Sequence, residues 1–282
     1  MIFFSEHDID KLIEDDVPLG DMTSLMLGLG RQQGSITLRS RTPIMVCCSE
    51  EVERIYTKAG LQVHSVTPSG TFIKEGEPII SAKGSAEAIH LVWRTGSALL
   101  ECASGIATRT HNLLKMSRAH NPNITLAGTR KHPPYLKKVA LKALLAGGAV
   151  PHRTGLSDTI LLFKEHLLFM GGYASLAANV SKIRSSQKER KIVVEVHTAD
   201  DAELAVKAGV DCLQFDKLDI KEFKDISAKC RVMNPAICII AAGGINDKNA
   251  EAYSEAGADV LVSSWMYFSP PADIKADIRM VE

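Results

Sequence analysis

Charge of one sign is the first thing this sequence lacks: its 282 residues carry 33 Lys and Arg against 33 Asp and Glu. A neutral balance excludes bulk attraction to nucleic acid or to an anionic membrane surface, both of which need a basic surplus. Aromatic residues are scarce at 5%, and Trp93 and Trp265 stand alone, as packing residues do more often than stacking platforms. No apolar run reaches the roughly 18 residues of a membrane helix. The opening stretch, MIFFSEHDIDKLIEDD, turns acidic at once. It has neither the basic start nor the long apolar segment of a secretory signal, so none is expected. The six cysteines include no C-x-x-C pair, and Cys47 and Cys48 are adjacent. That spacing suits neither zinc nor an ordinary disulfide, so free thiols in a reducing compartment are expected. These absences point to a cytoplasmic protein with no nucleic-acid and no membrane partner.

What is present has two halves. Ser5 can cap an amphipathic helix over residues 5–16, with Ile9, Leu12 and Ile13 on one face. Asp21-Met22-Thr23-Ser24 reads as a polar turn. From Gly34 the period changes to two: Ile36 and Leu38, Ile44 and Val46, Val63 and Val66, Phe72 and Ile73, Ile79 and Ile80 form short strands broken by Pro and Gly. Ser49–Lys58 reads as a helix among them. Residues 85–118 hold no proline and form a long helical region, with Gly96 and Gly105 as potential breaks. The domain boundary falls near residue 107, giving an N-terminal α+β domain over 1–107 and a second domain over 108–282. A C-terminal helix is expected to pack back on the first domain.

Beyond the boundary, short apolar runs alternate with helical patterns. The strands are 124–127, 159–163, 192–196, 212–215, 236–240 and 260–262; the helices are 134–146, 164–184, 200–208, 219–230 and 246–256. Continuous apolar runs suit strands buried on both faces. Gly in Lys-Ala-Gly-Val-Asp before Cys212, Glu-Ala-Gly-Ala-Asp before Val260 and Leu-Ala-Gly-Gly-Ala before Val150 supplies a left-handed helix end. Six or seven such units favour a closed or nearly closed parallel barrel, whose active site lies where the strands end.

That rule sorts the polar residues. Arg130, Lys131 and His132 open the stretch 128–153, and His152 and Arg153 close it. Arg binds carboxylate or phosphate bidentately and Lys adds a point charge, so cations at strand ends suggest a polyanionic ligand. The alternative is a solvated helix end, the better reading for Lys137 and Lys138. Glu195 and His197 share one face of their strand. Glu195 and Asp216 could hold Mg²⁺ together with substrate phosphates, or could pair with the neighbouring cations. Ala242-Gly243-Gly244 and Ser263-Ser264 can offer backbone N–H groups to a phosphate, although Gly-Gly turns are common.

Several ordered motifs then become recognisable: Gly20-Asp21-x-Thr23, Trp93-Arg94-Thr95, Ser104-Gly105-Ile106-Ala107-Thr108, Thr129-Arg130-Lys131, Ala146-Gly147-Gly148-Ala149-Val150-Pro151-His152-Arg153-x-Gly155-Leu156 and Leu162-Phe163-Lys164-Glu165-His166. Together they resemble the type II quinolinate phosphoribosyltransferase family over nearly the whole chain. Arg130-Lys131-His132-x-Pro134 and Ser157-Asp158-Thr159-Ile160-Leu161 resemble its molybdenum-transport-associated branch more closely. The resemblance implies an α/β protein: an N-terminal α+β sandwich-like domain followed by an open, TIM-like barrel of about seven strands. It implies transfer of phosphoribosyl from phosphoribosyl diphosphate to a pyridine carboxylate or similar anionic aromatic acid, with Mg²⁺ as cofactor and CO₂ release if the acid is quinolinate. It implies a homodimer or a higher homo-oligomer, in which Arg94 reaches the partner's site. Arg94, Arg130, Lys131, His152, Arg153 and Lys164 would surround the acid and the diphosphate, with His132 and His197 beside them. Lys131, Glu195 and Asp216 would act at the reacting centre, and Glu195 and Asp216 would face the ribose and Mg²⁺. Ala242, Gly243, Gly244, Ser263 and Ser264 would hold the phosphate. The departures are Ala242 for Ser, Ser264 for Gly, Phe268 for His, His197 for an acid and His132 for Thr. They leave a second expectation open: a non-catalytic or altered-specificity anion-binding protein linked to molybdenum.

Overall fold

Ser5 starts the first helix as anticipated: its hydroxyl accepts from Asp8 N at 3.2 Å while its own N–H donates to Asp8 Oδ2 at 2.6 Å, a reciprocal cap. The computed structural model describes residues 2–281. In chain order the elements are α1 (Glu6–Glu14), α2 (Met22–Leu27), β1 (Gln33–Ser40), β2 (Ile44–Met45), α3 (Ser49–Lys58), β3 (Gln62–Val66), β4 (Phe72–Ile73), β5 (Pro78–Ser85) and α4 (Ala86–Ser117). Then follow β6 (Thr125–Gly128), α5 (Lys137–Ala146), β7 (Val150–Pro151), β8 (Ile160–Leu162), α6 (Lys164–Met170), α7 (Leu176–Ser186), β9 (Ile192–Val196) and α8 (Ala199–Lys207). The last are β10 (Cys212–Asp216), α9 (Ile220–Met233), β11 (Cys238–Ala242), α10 (Ala250–Glu255), β12 (Val260–Ser263) and β13 (Ile274–Met280).

These elements fall into two compact units that interleave along the chain. Unit 1 takes the residues up to Asn112, His132–Gly148 and everything from Met266; unit 2 takes Leu113–Lys131 and Ala149–Trp265. In unit 1 the antiparallel order is β13-β1-β5-β3. Buried residues Ile36, Leu38, Ile79 and Ile80 share a core with Val52, Ile55 and Tyr56 of α3. α4 is unbroken because its two glycines serve close contact rather than breakage. A Cβ on Gly96 would lie 2.9 Å from the Tyr56 ring, and one on Gly105 would meet Ser269 and the Pro270 carbonyl.

Unit 2 is a parallel sheet of seven strands in the order β7-β6-β12-β11-β10-β9-β8. Its sequence-adjacent strands β7 and β8 are its two edges, so the barrel is open along that seam. β9 occupies Ile192–Val196, as its apolar run implies. Left-handed glycines end the helices before β7, β10 and β12, at Gly148, Gly209 and Gly257.

Four local expectations differ. Asp21 does not merely turn the chain but caps α2, accepting from Thr23 N at 3.0 Å and Ser24 N at 3.3 Å. The helix expected over 164–184 is two, because Gly171 and Gly172 both have positive φ. The C-terminal segment is a strand rather than a helix: its residues pair antiparallel with β1, Ile274 opposite Ser40 through Met280 opposite Gly34. Helix α5, read as a barrel helix, belongs to unit 1. It buries Val139, Ala140 and Ala143 in that core, and Gly147 after it passes where a Cβ would strike Thr110 and the Ala107 carbonyl.

Candidate active site

The strands of unit 2 deliver their polar residues to one pocket of about 410 Å³. From β6 come Thr129, Arg130 and Lys131; from β7, His152 and Arg153; from β9, Glu195; from β10, Gln214 and Asp216. The turn after β11 supplies Ala242, Gly243, Gly244, Ile245 and Asn246, and the end of β12 supplies Val262 to Trp265. Leu161 and Phe163 complete an apolar part of the wall. Apart from Leu161 and Gln214, which lie in the middle of β8 and β10, the contributors sit at or after the C-terminal ends of their strands.

The cationic side has no close ion pair, although the Asp158 charge favours the Arg153 cation. Among the described residues, no carboxylate comes within ion-pair distance of Arg130, Lys131 or Arg153. Arg153 lies over the Phe163 ring at 5.8 Å, a cation–π contact that keeps the guanidinium plane on an aromatic face. Burial first, and the Arg130 charge second, lower the pKa of Arg153. His152 is not a cation in this setting: burial, and next the Arg153 charge, pull it down from 6.5 to about 4. It is a neutral hydrogen-bonding ring at physiological pH.

The acidic side is compressed. Burial first, then the Asp216 charge, push the Glu195 carboxyl above the ordinary carboxylate range. Gln214 Nε2 donates to Glu195 Oε2 at 3.1 Å, and His197 Nε2 lies 3.6 Å from Glu195 Oε1. Two like-charged hard oxygen donors on one wall fit a Mg²⁺ that arrives with a polyphosphate. Among the described residues no group of three or more His, Cys, Asp or Glu side chains is arranged to hold a metal.

The glycine turn is braced. Gly243 and Gly244 have φ of +81° and +84°, backbone that a side chain resists. The Gly244 carbonyl accepts from Asn246 Nδ2 at 2.9 Å and Asn249 Nδ2 at 3.1 Å. The Ser263 hydroxyl donates to the Ile245 carbonyl at 2.6 Å and accepts from Trp265 N at 3.0 Å. It therefore ties the β11 and β12 loops together, leaving Ser264 as the half-buried hydroxyl of the pair. Ala242 is buried and apolar.

The pocket thus gathers Arg130, Lys131, His152, Arg153, Glu195, Asp216, Ala242, Gly243, Gly244, Ser263 and Ser264. Lys164, exposed at the start of α6, and His197 are in unit 2 but do not line it. Arg94 and His132 belong to unit 1. Arg94 is exposed, 3.9 Å from Glu101, and His132 stands edge-on to Tyr267 at 6.1 Å. Sequence reasoning missed Gln214, Phe163 and Asn246 and set Trp265 aside as packing. For Gln214 the signal was a polar residue within the apolar run 212–215.

Comparison with known proteins gives the family. Residues 21–104 match the N-terminal domain, and residues 106–277 the C-terminal domain, of the quinolinate phosphoribosyl transferase family. The chain belongs to that family. It is 39% identical over 252 residues to ModD of Rhodobacter capsulatus, provisionally named a pyrophosphorylase, covering 89% of this chain and 96% of that one. It is 24% identical to the human carboxylating nicotinate-nucleotide pyrophosphorylase, over 94% of this chain and 88% of that one. The crystal structure of NadC from Streptococcus pyogenes has the same fold, with a TM-score of 0.88 at 19% identity, over 98% of this chain and 97% of that one. Among the described residues, no helix is long and apolar enough to cross a membrane.

Proposed function

We propose that this member of the quinolinate phosphoribosyltransferase family transfers phosphoribosyl from phosphoribosyl diphosphate to a pyridine carboxylate or a similar anionic aromatic acid. The observation that carries the reading is the polarised pocket: Arg130, Lys131 and Arg153 without carboxylate partners face a wall holding Glu195 and Asp216. Three cations outside any ion pair suit two polyanionic substrates, and the apolar stretch of Leu161, Phe163 and Trp265 suits a flat ring.

In the proposed reaction the ring nitrogen attacks C1 of the ribose and the C1–O bond to diphosphate breaks. The diphosphate leaves with the bonding electrons. Positive charge gathers at C1 as the bond breaks, and the fixed carboxylates of Glu195 and Asp216 stabilise it. The guanidiniums hold both substrates in line, converting a two-body encounter into an oriented step. Bound Mg²⁺, held by Glu195, Asp216 and substrate oxygens, would neutralise diphosphate charge. Gly243 and Gly244 would cradle the phosphate. If the acid is quinolinate, CO₂ leaves from the nucleotide adduct. A homodimer, with Arg94 offered to the partner's site, is part of this reading.

A second reading is a barrel kept for anion binding, linked to molybdenum, without turnover. Ala242 and the internally committed Ser263 hydroxyl favour it, since both deplete the hydroxyls offered to a phosphate. Incubating the protein with phosphoribosyl diphosphate, Mg²⁺ and a panel of pyridine carboxylates should release diphosphate. Silence with every acid, alongside tight molybdate binding by calorimetry, would establish the second reading instead.

A further inference from the structure

Gln214 is the central residue of β10, between Cys212-Leu213 and Phe215-Asp216, and it is only 5% exposed. Burying an amide costs free energy unless its groups are hydrogen-bonded. One end is satisfied. Gln214 stands directly opposite Glu195 in the parallel register of β10 and β9, and its Nε2 donates to Glu195 Oε2 at 3.1 Å. An ionised carboxylate can only accept, so it holds the NH₂ toward itself and turns the carbonyl away. The other end is not satisfied. Among the described residues nothing donates to Gln214 Oε1, which is buried within the side chain that lines the pocket. A Leu or Met of similar size would fill the space without this cost.

The ligand group that answers an orphan acceptor must carry an O–H or N–H. The phosphoryl groups of the donor, with a second pKa of about 6, and an ionised pyridine carboxylate present chiefly acceptors at neutral pH. Of the two substrates in the reading above, the ribose hydroxyls are the donors. The surroundings agree: Gln214 and Asp216, two residues apart, share one face of β10, and Glu195 lies alongside. Three acceptors in one corner suit a polyol.

We propose that Gln214 is a ligand-contacting specificity residue whose side-chain carbonyl accepts a hydrogen bond from a ribose hydroxyl of the phosphoribosyl donor. It rests on the phosphoribosyltransferase reading and deepens it. In this role Gln214 does double duty, orienting Glu195 with its nitrogen and reading the sugar with its oxygen. A 2-deoxy or 3-deoxy donor would leave the carbonyl buried and unpaired.

The test is equilibrium binding by calorimetry, with Mg²⁺ present, of phosphoribosyl diphosphate and its 2-deoxy and 3-deoxy counterparts to the wild type and to Gln214→Met. For one of the two deoxy ligands the wild type should lose about 10- to 100-fold in affinity, the range of a buried hydrogen bond left half-made. For the same change the factor lost by Gln214→Met should be smaller than the wild type's by about 5-fold or more, because it has no carbonyl to strand and only the contacts to Glu195 and Asp216 are left to lose. Equal factors in both proteins would overturn the proposal while leaving the transferase reading intact. Failure of the wild type to bind phosphoribosyl diphosphate at all would sink both. Should Gln214→Met fold poorly, Gln214→Leu serves in its place. A wild type indifferent to both deoxy ligands overturns the proposal without any variant.

Discussion

Gly243 and Asp216 fit together only because residue 243 has no side chain. A Cβ there would press into Asp216 Oδ1 and lie 2.8 Å from the Lys217 backbone nitrogen, and Lys217 is itself held at a φ of +57°. The carboxylate and the glycine turn are thus positioned by each other. Gly244 has the same left-handed backbone but open space around its missing Cβ. Gly244→Ala should therefore cost only the conformational term, about 1–2 kcal/mol. Gly243→Ala adds a backbone clash and should cost about 3 kcal/mol or more, with weakened phosphoribosyl diphosphate binding. Thermal denaturation of the two variants side by side reads the difference; equal losses would mean that the Asp216 contact imposes nothing.

Arg130 and Arg153 repel one another, and the Asp158 charge offsets this at Arg153 only in part. Removing either relieves that repulsion, so Arg130→Ala and Arg153→Ala should leave the folded state within about 0.5 kcal/mol of the wild type. Each should nevertheless weaken binding of a diphosphate-bearing ligand by about 10- to 100-fold, the scale of a charge-assisted hydrogen bond. Calorimetry and a melting curve on the same samples separate the effects. A large drop in melting temperature in both variants would show that these cations support the fold instead.

The parts of this molecule legible in its sequence are those with a period. β9 and α3 fall where their patterns place them, because a continuous apolar run and an amphipathic helical spacing each have one cheap solution. β7 is two residues long, too short to have a period. The ownership of α5 was not legible either: its apolar face announces burial, but a sequence does not say against which core. Charge at strand ends located most of the pocket. It could not show that burial neutralises His152, that the Ser263 hydroxyl is spent on a neighbouring loop, or that an uncharged Gln214 stands in the wall. Those depend on who the neighbours are.

His152 should leave a signature in acid. Its folded pKa of about 4 lies below its ordinary 6.5, so between those values the unfolded chain binds a proton that the folded chain refuses. Stability must then fall as pH drops from about 6.5 to about 4, and the slope must flatten below that. His152→Gln should remove this component of the slope. The depressed carboxyl of Glu50, held at about 2 against its ordinary 4.5 in spite of its burial by Lys142 and Ser69, loses its contribution at lower pH and is unaffected by the change. Urea midpoints measured at half-unit steps resolve the two windows. An unchanged slope in His152→Gln would assign the acid sensitivity elsewhere.

Lys142 and Lys138 lie on the same helix but should respond differently to removal. Lys142 is 13% exposed and binds Glu50 Oε2 at 2.8 Å as well as Glu51, itself 7% exposed. Lys142→Met strands the buried Glu51 carboxylate and should cost about 3–5 kcal/mol. Lys138, 47% exposed and paired with Asp8, should cost about 0–1 kcal/mol on the same substitution. Chemical denaturation of the pair tests whether α5 is anchored through Lys142; similar small losses would place the anchoring in Val139, Ala140 and Ala143 alone.

Arg94 supplies the test of whether sites are shared between copies of the chain. Its side chain is 61% exposed and makes only a loose pair with Glu101, so it is available to a second protomer at little cost. Lys131 lines the pocket of its own chain. Arg94→Ala and Lys131→Ala should each abolish turnover when pure, for different reasons. Mixed and allowed to exchange subunits, they should regain about a quarter of the wild-type rate, because one site in each mixed dimer then holds both residues and mixed dimers make up half of a random population. Subunit exchange has to be confirmed by native mass spectrometry or by co-purification of differently tagged copies. Mixed dimers without recovered turnover would confine each site to a single chain.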